Sequence, residues 1–350
     1  MKAYVLYSND DFRLETVPDP IPDENEVIIA VKAVGICGSD IPRIFKGEAH
    51  TYPLIPGHEF SGVVTKIGKN VDPIWNGKRV GVFPLIPCHV CEACNKSQYE
   101  MCNHYNYLGS RRNGGFAEMV AVPVENIIIL PDQVSYEEAA MLEPMSVAVH
   151  AMRRIQLKQE TTIAVCGLGT IGLLLLTFLR EAGIINVLAI GNKDTQKAIV
   201  YGMGIAEEEF CDCRENDVDE WIMERTAGQG VEVFFECVGK NETFKLAVSN
   251  VTSGGKVILV GNPYTDMTLE KSIYWKILRK QLILSGTWNS SFVHNKQDDW
   301  HYVMERLQYN RINISELISH RYLFDELGAG FSIMRDKKED YVKIMGIIGK

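Results

Sequence analysis

From Thr161 to Leu179 the chain runs for nineteen residues without a charged side chain. A stretch of that length must either cross a membrane, which takes about 20 apolar residues, or be buried inside the protein. Its internal pattern selects burial. Thr161 to Cys166 is short and rich in β-branched residues, Gly167-Leu168-Gly169 interrupts it, and Thr170 to Leu179 resumes as a Leu-rich run closed by Arg180-Glu181. A buried strand, a tight turn and a buried helix in that order belong to a parallel sheet covered by helices. The turn, Gly167-Leu168-Gly169-Thr170-Ile171-Gly172, has the spacing G-x-G-x-x-G. After a strand and at the head of a helix, such glycines let a helix N-terminus approach a pyrophosphate, so the segment reads as a dinucleotide-binding fingerprint. Glycines that merely close a packed turn are the alternative.

The surrounding sequence supports that reading. Beyond Gln159 apolar strands alternate with helical patterns, at Thr162 to Gly167, Val187 to Gly191, Glu232 to Glu236, Lys256 to Gly261 and Leu282 to Gly286, which predicts an α/β unit with a doubly wound parallel sheet. The first ~150 residues differ. Val27 to Val34, Ser61 to Ile67, Arg79 to Pro84, Phe116 to Val122 and Asn126 to Leu130 are short β-rich runs between Gly, Pro and Asn-rich turns, and predict an antiparallel β-rich domain. Ser135-Tyr136-Glu137-Glu138 has the form of a capping box, and Pro144 suits the first turn of a helix running toward Arg154. The tail carries a helix near Asp298 to Tyr309 and a strand candidate at Tyr341 to Ile348, and is expected to rejoin the first domain. The domains expected are therefore 1–149 with 288–350, and 150–287 for the dinucleotide.

Composition narrows the partners. A chain of 350 residues at 46% hydrophobic and 23% charged is an ordinary globular protein, and a net charge of −9 argues against a nucleic-acid binder, which would present a basic stripe. The N-terminus turns polar at Ser8-Asn9-Asp10 before it could form a signal peptide, so no membrane partner and a cytoplasmic, reducing location are expected for the nine cysteines. The runs Glu207-Glu208-Glu209 and Lys337-Lys338-Glu339-Asp340 read as solvated surface.

Four of those cysteines, Cys88, Cys91, Cys94 and Cys102, fall at spacings of two, two and seven. Such clustering in an intracellular chain signals metal. Four thiolates would close a tetrahedral zinc site with no vacancy for substrate, making it structural. An iron–sulfur cluster or unmetallated thiols are the rivals, but the common iron–sulfur run has a spacing of three and a following Pro, whereas Asn103 follows here. Elsewhere Cys37 lies in Gly35-Ile36-Cys37-Gly38-Ser39-Asp40, His58 and Glu59 follow Gly57, and Glu143 precedes Pro144. Singly each suits core packing or surface. Together they offer one sulfur, one imidazole and two carboxylates, enough for a zinc with a position exchangeable for water or substrate. Zinc beside a dinucleotide suggests redox chemistry on an alcohol.

These motifs, in this order, resemble the zinc-dependent medium-chain dehydrogenase/reductase family over essentially the whole chain. Within it, the segments Ile41 to Lys46, His58 to Gly62, Gly109 to Glu118 and Lys276 to Lys280 are most similar to the galactitol-1-phosphate 5-dehydrogenase branch, with sorbitol and other polyol dehydrogenases next. The resemblance implies a Rossmann domain joined to a GroES-like catalytic domain with a structural zinc lobe. It implies two zincs: one held by Cys37, His58 and Glu143, with Glu59 as a direct or indirect ligand, and one held by Cys88, Cys91, Cys94 and Cys102. It also implies that Ser39 relays the substrate proton and that Asp40 sits beside the metal. The reaction implied is oxidation of a secondary hydroxyl of a polyol phosphate, galactitol 1-phosphate to tagatose 6-phosphate in type, with hydride passing to a nicotinamide. A free polyol such as sorbitol or iditol, or another secondary alcohol, keeps the same mechanism, and a non-catalytic nucleotide-binding zinc scaffold is the reading from another class. Arg43, Lys46, Arg111 and Arg112 lie in segments that the resemblance brings near the cleft and are candidate phosphate contacts.

The cofactor motif departs from the NAD pattern, which expects an acidic residue about twenty positions beyond the glycines. Here the strand ends Ile190-Gly191-Asn192-Lys193-Asp194. Losing the carboxylate at Gly191 removes repulsion against a 2′-phosphate, and Asn192 and Lys193 could donate to one. The site of Gly167, Gly169, Thr170, Ile171, Gly172, Gly191, Asn192 and Lys193 thus leans to NADP, with Asp194 leaving NAD open. Apolar edge strands at Lys256 to Gly261 and Leu282 to Gly286 predict a homodimer or homotetramer.

Overall fold

The uncharged segment folds as its pattern requires, into strand Ile163–Cys166 and helix Thr170–Glu181, with Leu173, Leu174, Leu175 and Leu176 fully buried. The computed structural model describes residues 1–349. The strand is the third of six parallel strands in the order Phe210–Asp212, Val187–Gly191, Ile163–Cys166, Val231–Glu236, Val251–Leu259, Ile283–Gly286. The chain builds outward on one side of Ile163–Cys166 and then returns to its other side. That reversal opens a crevice at the carboxyl ends of the strands, where the glycine turn lies. The turn needs its glycines. Gly167 takes φ +96°, and a Cβ on Gly172 would stand 2.0 Å from the Gly167 carbonyl oxygen.

Two details differ from the sequence expectation. Phe210–Asp212, only three residues long, is a strand that periodicity did not reveal. Lys256 to Gly261 is not an edge: Val251–Leu259 pairs with Val231–Glu236 on one side and Ile283–Gly286 on the other. The crossover helix Lys271–Lys280 returns the chain to add one strand outside it, which is why Val257 and Ile258 are fully buried.

By compactness the chain divides into Met1–Ser146 with Ser290–Lys350, and Val147–Asn289. The first unit is built on a seven-stranded sheet ordered Ile318–Leu323, Lys343–Ile347, Glu26–Ile36, Glu59–Ile67, Arg79–Val82 and Ile127–Ile129, with Met119–Pro123 also paired to Glu26–Ile36. Its pairs are antiparallel except the first, which is parallel. Lys343–Ile347 sets Ile344 opposite Ile36, so the tail of the chain reaches the carboxyl end of the strand that precedes Cys37. Ser135 and Glu138 form the capping box of helix Tyr136–Ala140, and Pro144 lies in the first turn of helix Leu142–Arg153.

Candidate active site

Register brings the first site together. Strands Glu26–Ile36 and Glu59–Ile67 run antiparallel with Gly35 opposite Glu59, so Cys37, just past one strand, meets His58 and Glu59 at the start of the other. One donor atom from each of Cys37, His58 and Glu59 lies within 4.8 Å of the others. His58 and Glu59 are buried, and a side chain on Gly35 would collide with the Glu59 carboxylate, its Cβ 2.3 Å from Oε2. Ser39 Oγ donates to Cys37 Sγ at 3.3 Å.

Each charge in this pocket has a fixed counterpart. Asp40, fully buried, accepts from the Cys37 amide at 3.0 Å and from Arg43 Nη1 at 2.5 Å, and its Oδ1 lies 3.5 Å from His58 Nδ1. At that distance the last pair is an electrostatic contact, and Nδ1 has no hydrogen-bond partner among the described residues. Burial pushes the Asp40 carboxyl up, but His58 and Arg43 outweigh it and leave it below its ordinary value. Burial pushes His58 down, and the negative charges of Asp40 and Cys37 hold it well above its ordinary value. Glu59 Oε2 accepts from Lys343 Nζ at 2.5 Å, both groups at most 2% exposed, and Lys343 also donates to the Ile36 carbonyl at 3.2 Å.

Glu143 stands outside the tight trio. Its Oε1 accepts from the Tyr107 hydroxyl at 3.2 Å, and burial, reinforced by the nearby Glu59, pushes its carboxyl up to about 7 against the pull of His58 and Lys343. Cys37, His58, Glu59 and Glu143 together offer one sulfur, one imidazole and two carboxylates, and the protons that His58 and Glu143 retain are ones a bound cation would displace. A buried imidazole with no hydrogen-bond partner at Nδ1, gathered with a thiol and a carboxylate, fits a divalent cation, and the S, N, O donor mixture suits zinc.

The second cluster lies in one short lobe around helix Glu92–Asn95. Cys88 and Cys94 sulfurs are 3.9 Å apart, Cys91 and Cys94 3.5 Å, and Cys91 and Cys102 3.9 Å. Four sulfurs at about 2.3 Å from a tetrahedral zinc would sit about 3.8 Å from one another. Amides of Cys94 and Asn103 push the Cys91 thiol down to about 6 while burial pushes Cys94 up to about 12, so the four cannot ionise together without a cation. The donor set is closed: all four ligands are thiols.

The basic candidates separate. Arg43 is committed to Asp40, with its Nε buried and unpartnered. Arg111 stacks over Tyr105, 4.4 Å from the ring centre. Burial pushes the exposed His50 down, and the positive charges of Arg111 and Arg43 push it further, which puts a neutral imidazole near these two guanidinium groups. Arg112 instead donates to Glu26 at 2.7 Å, and Lys46 is an exposed residue at the end of helix Asp40–Phe45. Sequence reading missed Lys343, Tyr107 and His50. Only Lys343 left a signal, as the one cation within an apolar terminal strand.

In the second unit, Gly169 is the N-cap of helix Thr170–Glu181 with no side-chain cap, and a Cβ there would meet nothing within 4 Å. Unfilled space before a helix N-terminus that no side chain caps fits a pyrophosphate. Gly191 ends its strand, a Cβ on it would stand 2.8 Å from Gln196 Oε1, and that oxygen accepts from the Asn192 amide at 2.9 Å. Lys193 is the N-cap of helix Asp194–Gly202.

Comparison with known proteins accords with both units. Residues 23–132 match the alcohol dehydrogenase GroES-like domain, and residues 170–308 match the zinc-binding dehydrogenase domain. The chain belongs to the zinc-binding alcohol dehydrogenase family. It is 33% identical over 327 residues to galactitol 1-phosphate 5-dehydrogenase of Escherichia coli (strain K12), spanning 93% of this chain and 94% of that protein. It is 34% identical to sorbitol dehydrogenase of Bacillus subtilis (strain 168), over 75% of each chain. The crystal structure of galactitol-1-phosphate dehydrogenase from Escherichia coli superposes with a TM-score of 0.92 at 31% identity, covering 99% of this chain and all of that one. A structure described as a zinc-binding dehydrogenase from Sinorhizobium meliloti 1021, bound to NADP, gives 0.89 at 28% identity, covering 99% and 98%. Among its relatives the chain is thus an enzyme of the alcohol and polyol dehydrogenase type.

Proposed function

We propose that this enzyme oxidises a secondary hydroxyl of a polyol phosphate, in the manner of galactitol 1-phosphate to tagatose 6-phosphate, with reduction of a nicotinamide cofactor. One observation carries the reading. The half-buried Cys37 and the buried His58, Glu59 and Glu143 lie beside Arg43, whose charge reaches Tyr107 on one side and, with that of Arg111, the imidazole of His50 on the other. When bound, zinc supplies Lewis acidity toward a hydroxyl and the nicotinamide supplies the hydride acceptor. In this reading Cys37 and His58, with Glu59 and Glu143, hold the metal, and Cys88, Cys91, Cys94 and Cys102 hold a second, structural zinc. Asp40 fixes Arg43 and faces His58, Lys343 restrains Glu59, and Ser39 Oγ accepts and passes on the hydroxyl proton. Arg111 and His50 are the groups placed to meet the phosphate. The commitment of Arg43 to Asp40 and of Arg112 to Glu26 favours a second reading, a free polyol such as sorbitol.

For the cofactor we favour NADP over NAD, with Gly167 to Gly172 receiving the pyrophosphate and Gly191, Asn192 and Lys193 facing the adenosine ribose. The chain is further read as a cytoplasmic homodimer or homotetramer assembling through the edge strand Ile283–Gly286, in which Ile283 is exposed, as are Tyr274, Trp275 and Leu278 on the preceding helix. No helix of the described residues is long and apolar enough to cross a membrane. The direct test compares kcat/KM for galactitol 1-phosphate and sorbitol. A preference for the phosphate of at least about tenfold is expected from one charge-assisted contact; equal values remove the phosphate from the proposal.

A further inference from the structure

Strand Phe210–Asp212, which the sequence did not reveal, lies beside Val187–Gly191 in parallel register with Asp212 opposite Gly191. The Cys213 amide donates to the Gly191 carbonyl at 2.9 Å, so the residue that follows is delivered to the loop beyond Gly191. That residue is Arg214. Its amide and Nε both donate to Asp212 Oδ1, at 3.0 and 2.9 Å, and its Nη2 donates to Asp212 Oδ2 at 2.5 Å. The same Nη2 reaches Asp194 Oδ1, at the first position of the helix that follows Gly191, at 2.5 Å. Asp212 is buried and fixes one edge of the guanidinium. The other edge, Nη1, has no protein acceptor among the described residues, and the side chain is 45% exposed.

This arrangement reverses the usual chemistry of the position. An adenosine ribose with a free 2′-hydroxyl is normally held by a carboxylate acceptor at the end of this strand. Here Gln196 Oε1 fills the space where a side chain on residue 191 would lie, so an acidic residue at 191 would require Gln196 to move. The two nearest carboxylates, Asp212 and Asp194, already accept from Arg214. What the loop offers is a rigidly aimed planar donor, whose fork matches a phosphate.

We infer that Arg214 is the residue that selects a 2′-phosphorylated nicotinamide cofactor, with the exposed Asp194 carboxylate occupying part of the guanidinium until the 2′-phosphate arrives. The inference rests on the dinucleotide-dependent reading above and adds to it the residue that discriminates. Neither the spacing of the glycine motif nor the Asn192-Lys193 pair points to Arg214, because it comes from the next strand.

The test is binding rather than turnover. Adenosine 2′,5′-bisphosphate and adenosine 5′-monophosphate are titrated into the whole enzyme by calorimetry, which needs neither zinc nor an alcohol. The intact protein is expected to bind the bisphosphate at least about tenfold more tightly. Arg214→Gln should weaken the bisphosphate by roughly 10- to 100-fold and the monophosphate by less than about threefold, with partial recovery in Arg214→Lys. Asp194→Asn alters an exposed side chain and leaves the Asp212 clamp intact; it should tighten the bisphosphate by about two- to fivefold without changing the monophosphate. A bisphosphate preference that survives Arg214→Gln overturns the role of Arg214 while leaving NADP in place. Equal losses for both ligands in Arg214→Gln, with no change in Asp194→Asn, reduce Arg214 to a structural residue. A wild-type protein without any preference overturns the NADP reading itself.

Discussion

The two metal-ligating clusters of the catalytic unit are built on opposite plans. The thiols of Cys88, Cys91, Cys94 and Cys102 come from fifteen consecutive residues, alike in chemistry and with no other donor type among them. Cys37, His58, Glu59 and Glu143 come from three separated segments, differ in chemistry, and are enclosed by Asp40, Arg43, Tyr107 and Lys343. A local, uniform set can close around an ion by itself and stabilises the lobe that carries it. A dispersed, mixed set depends on strand register and on buried counter-charges, and a protein maintains such an arrangement where the ion's remaining coordination position is used.

The largest effect should separate the two directly. His58→Ala removes the imidazole from the mixed set, and turnover should fall by at least about 1000-fold, the worth of several kcal/mol of charge stabilisation, while the thermal midpoint moves by only a few degrees. Retained turnover in a folded His58→Ala protein would break the comparison at its catalytic side. Cys94→Ala should do the reverse. Because metal binding in such a lobe is folding energy, the thermal midpoint by calorimetry should drop by roughly 5 to 10 °C, with kcat of the folded fraction within about threefold. Unchanged stability would mean that the lobe is not stapled by an ion.

Lys343 sharpens the mixed side. Removing its ammonium leaves the buried Glu59 carboxylate without its cation, so Lys343→Met should lower kcat by about 10- to 100-fold, and Lys343→Arg should restore much of it. A loss confined to stability, with kcat intact in the folded enzyme, would make Lys343 purely structural.

How much of this was readable beforehand follows the same division. The four-thiol lobe and the glycine turn are written as local spacings, and a chain of 350 residues displays them without folding. The strands that alternate with helices were equally plain, since burial on both faces leaves continuous apolar runs at Ile163–Cys166 and Val187–Gly191. Tyr107 and Arg214 could not be found that way, and Lys343 showed only as a lone cation in an apolar strand, with nothing to name its partner. Each acts through a pairing of distant strands, Ile344 with Ile36, Leu85 with Tyr107, and Asp212 with Gly191, and no local pattern encodes which strands become neighbours. The error over Lys256 to Gly261 has the same origin, because edge or interior is a property of the sheet order rather than of the strand.

The smallest effect concerns cysteines outside both clusters. Burial pushes Cys166 up to about 12 and Cys211 up to about 11. A thiol whose folded pKa is raised contributes no penalty below its ordinary value near 8.5, and folding loses stability as pH climbs above that value, where the unfolded thiol ionises first. Mass spectrometry after iodoacetamide treatment at pH 8 with a chelator should therefore find the half-exposed Cys88 and Cys91 labelled and Cys166 and Cys211 untouched. Equal labelling of all of them would show that burial does not distinguish the packing thiols from the ligating ones.

The most direct measurement of the difference between the clusters is zinc per chain by plasma mass spectrometry, taken on exhaustively dialysed wild-type protein and on Cys37→Ser. Two zincs falling to one, with turnover lost and the melting temperature held, is the result expected of a catalytic ion and a structural ion in separate sites. Two zincs and full turnover retained in Cys37→Ser would contradict it.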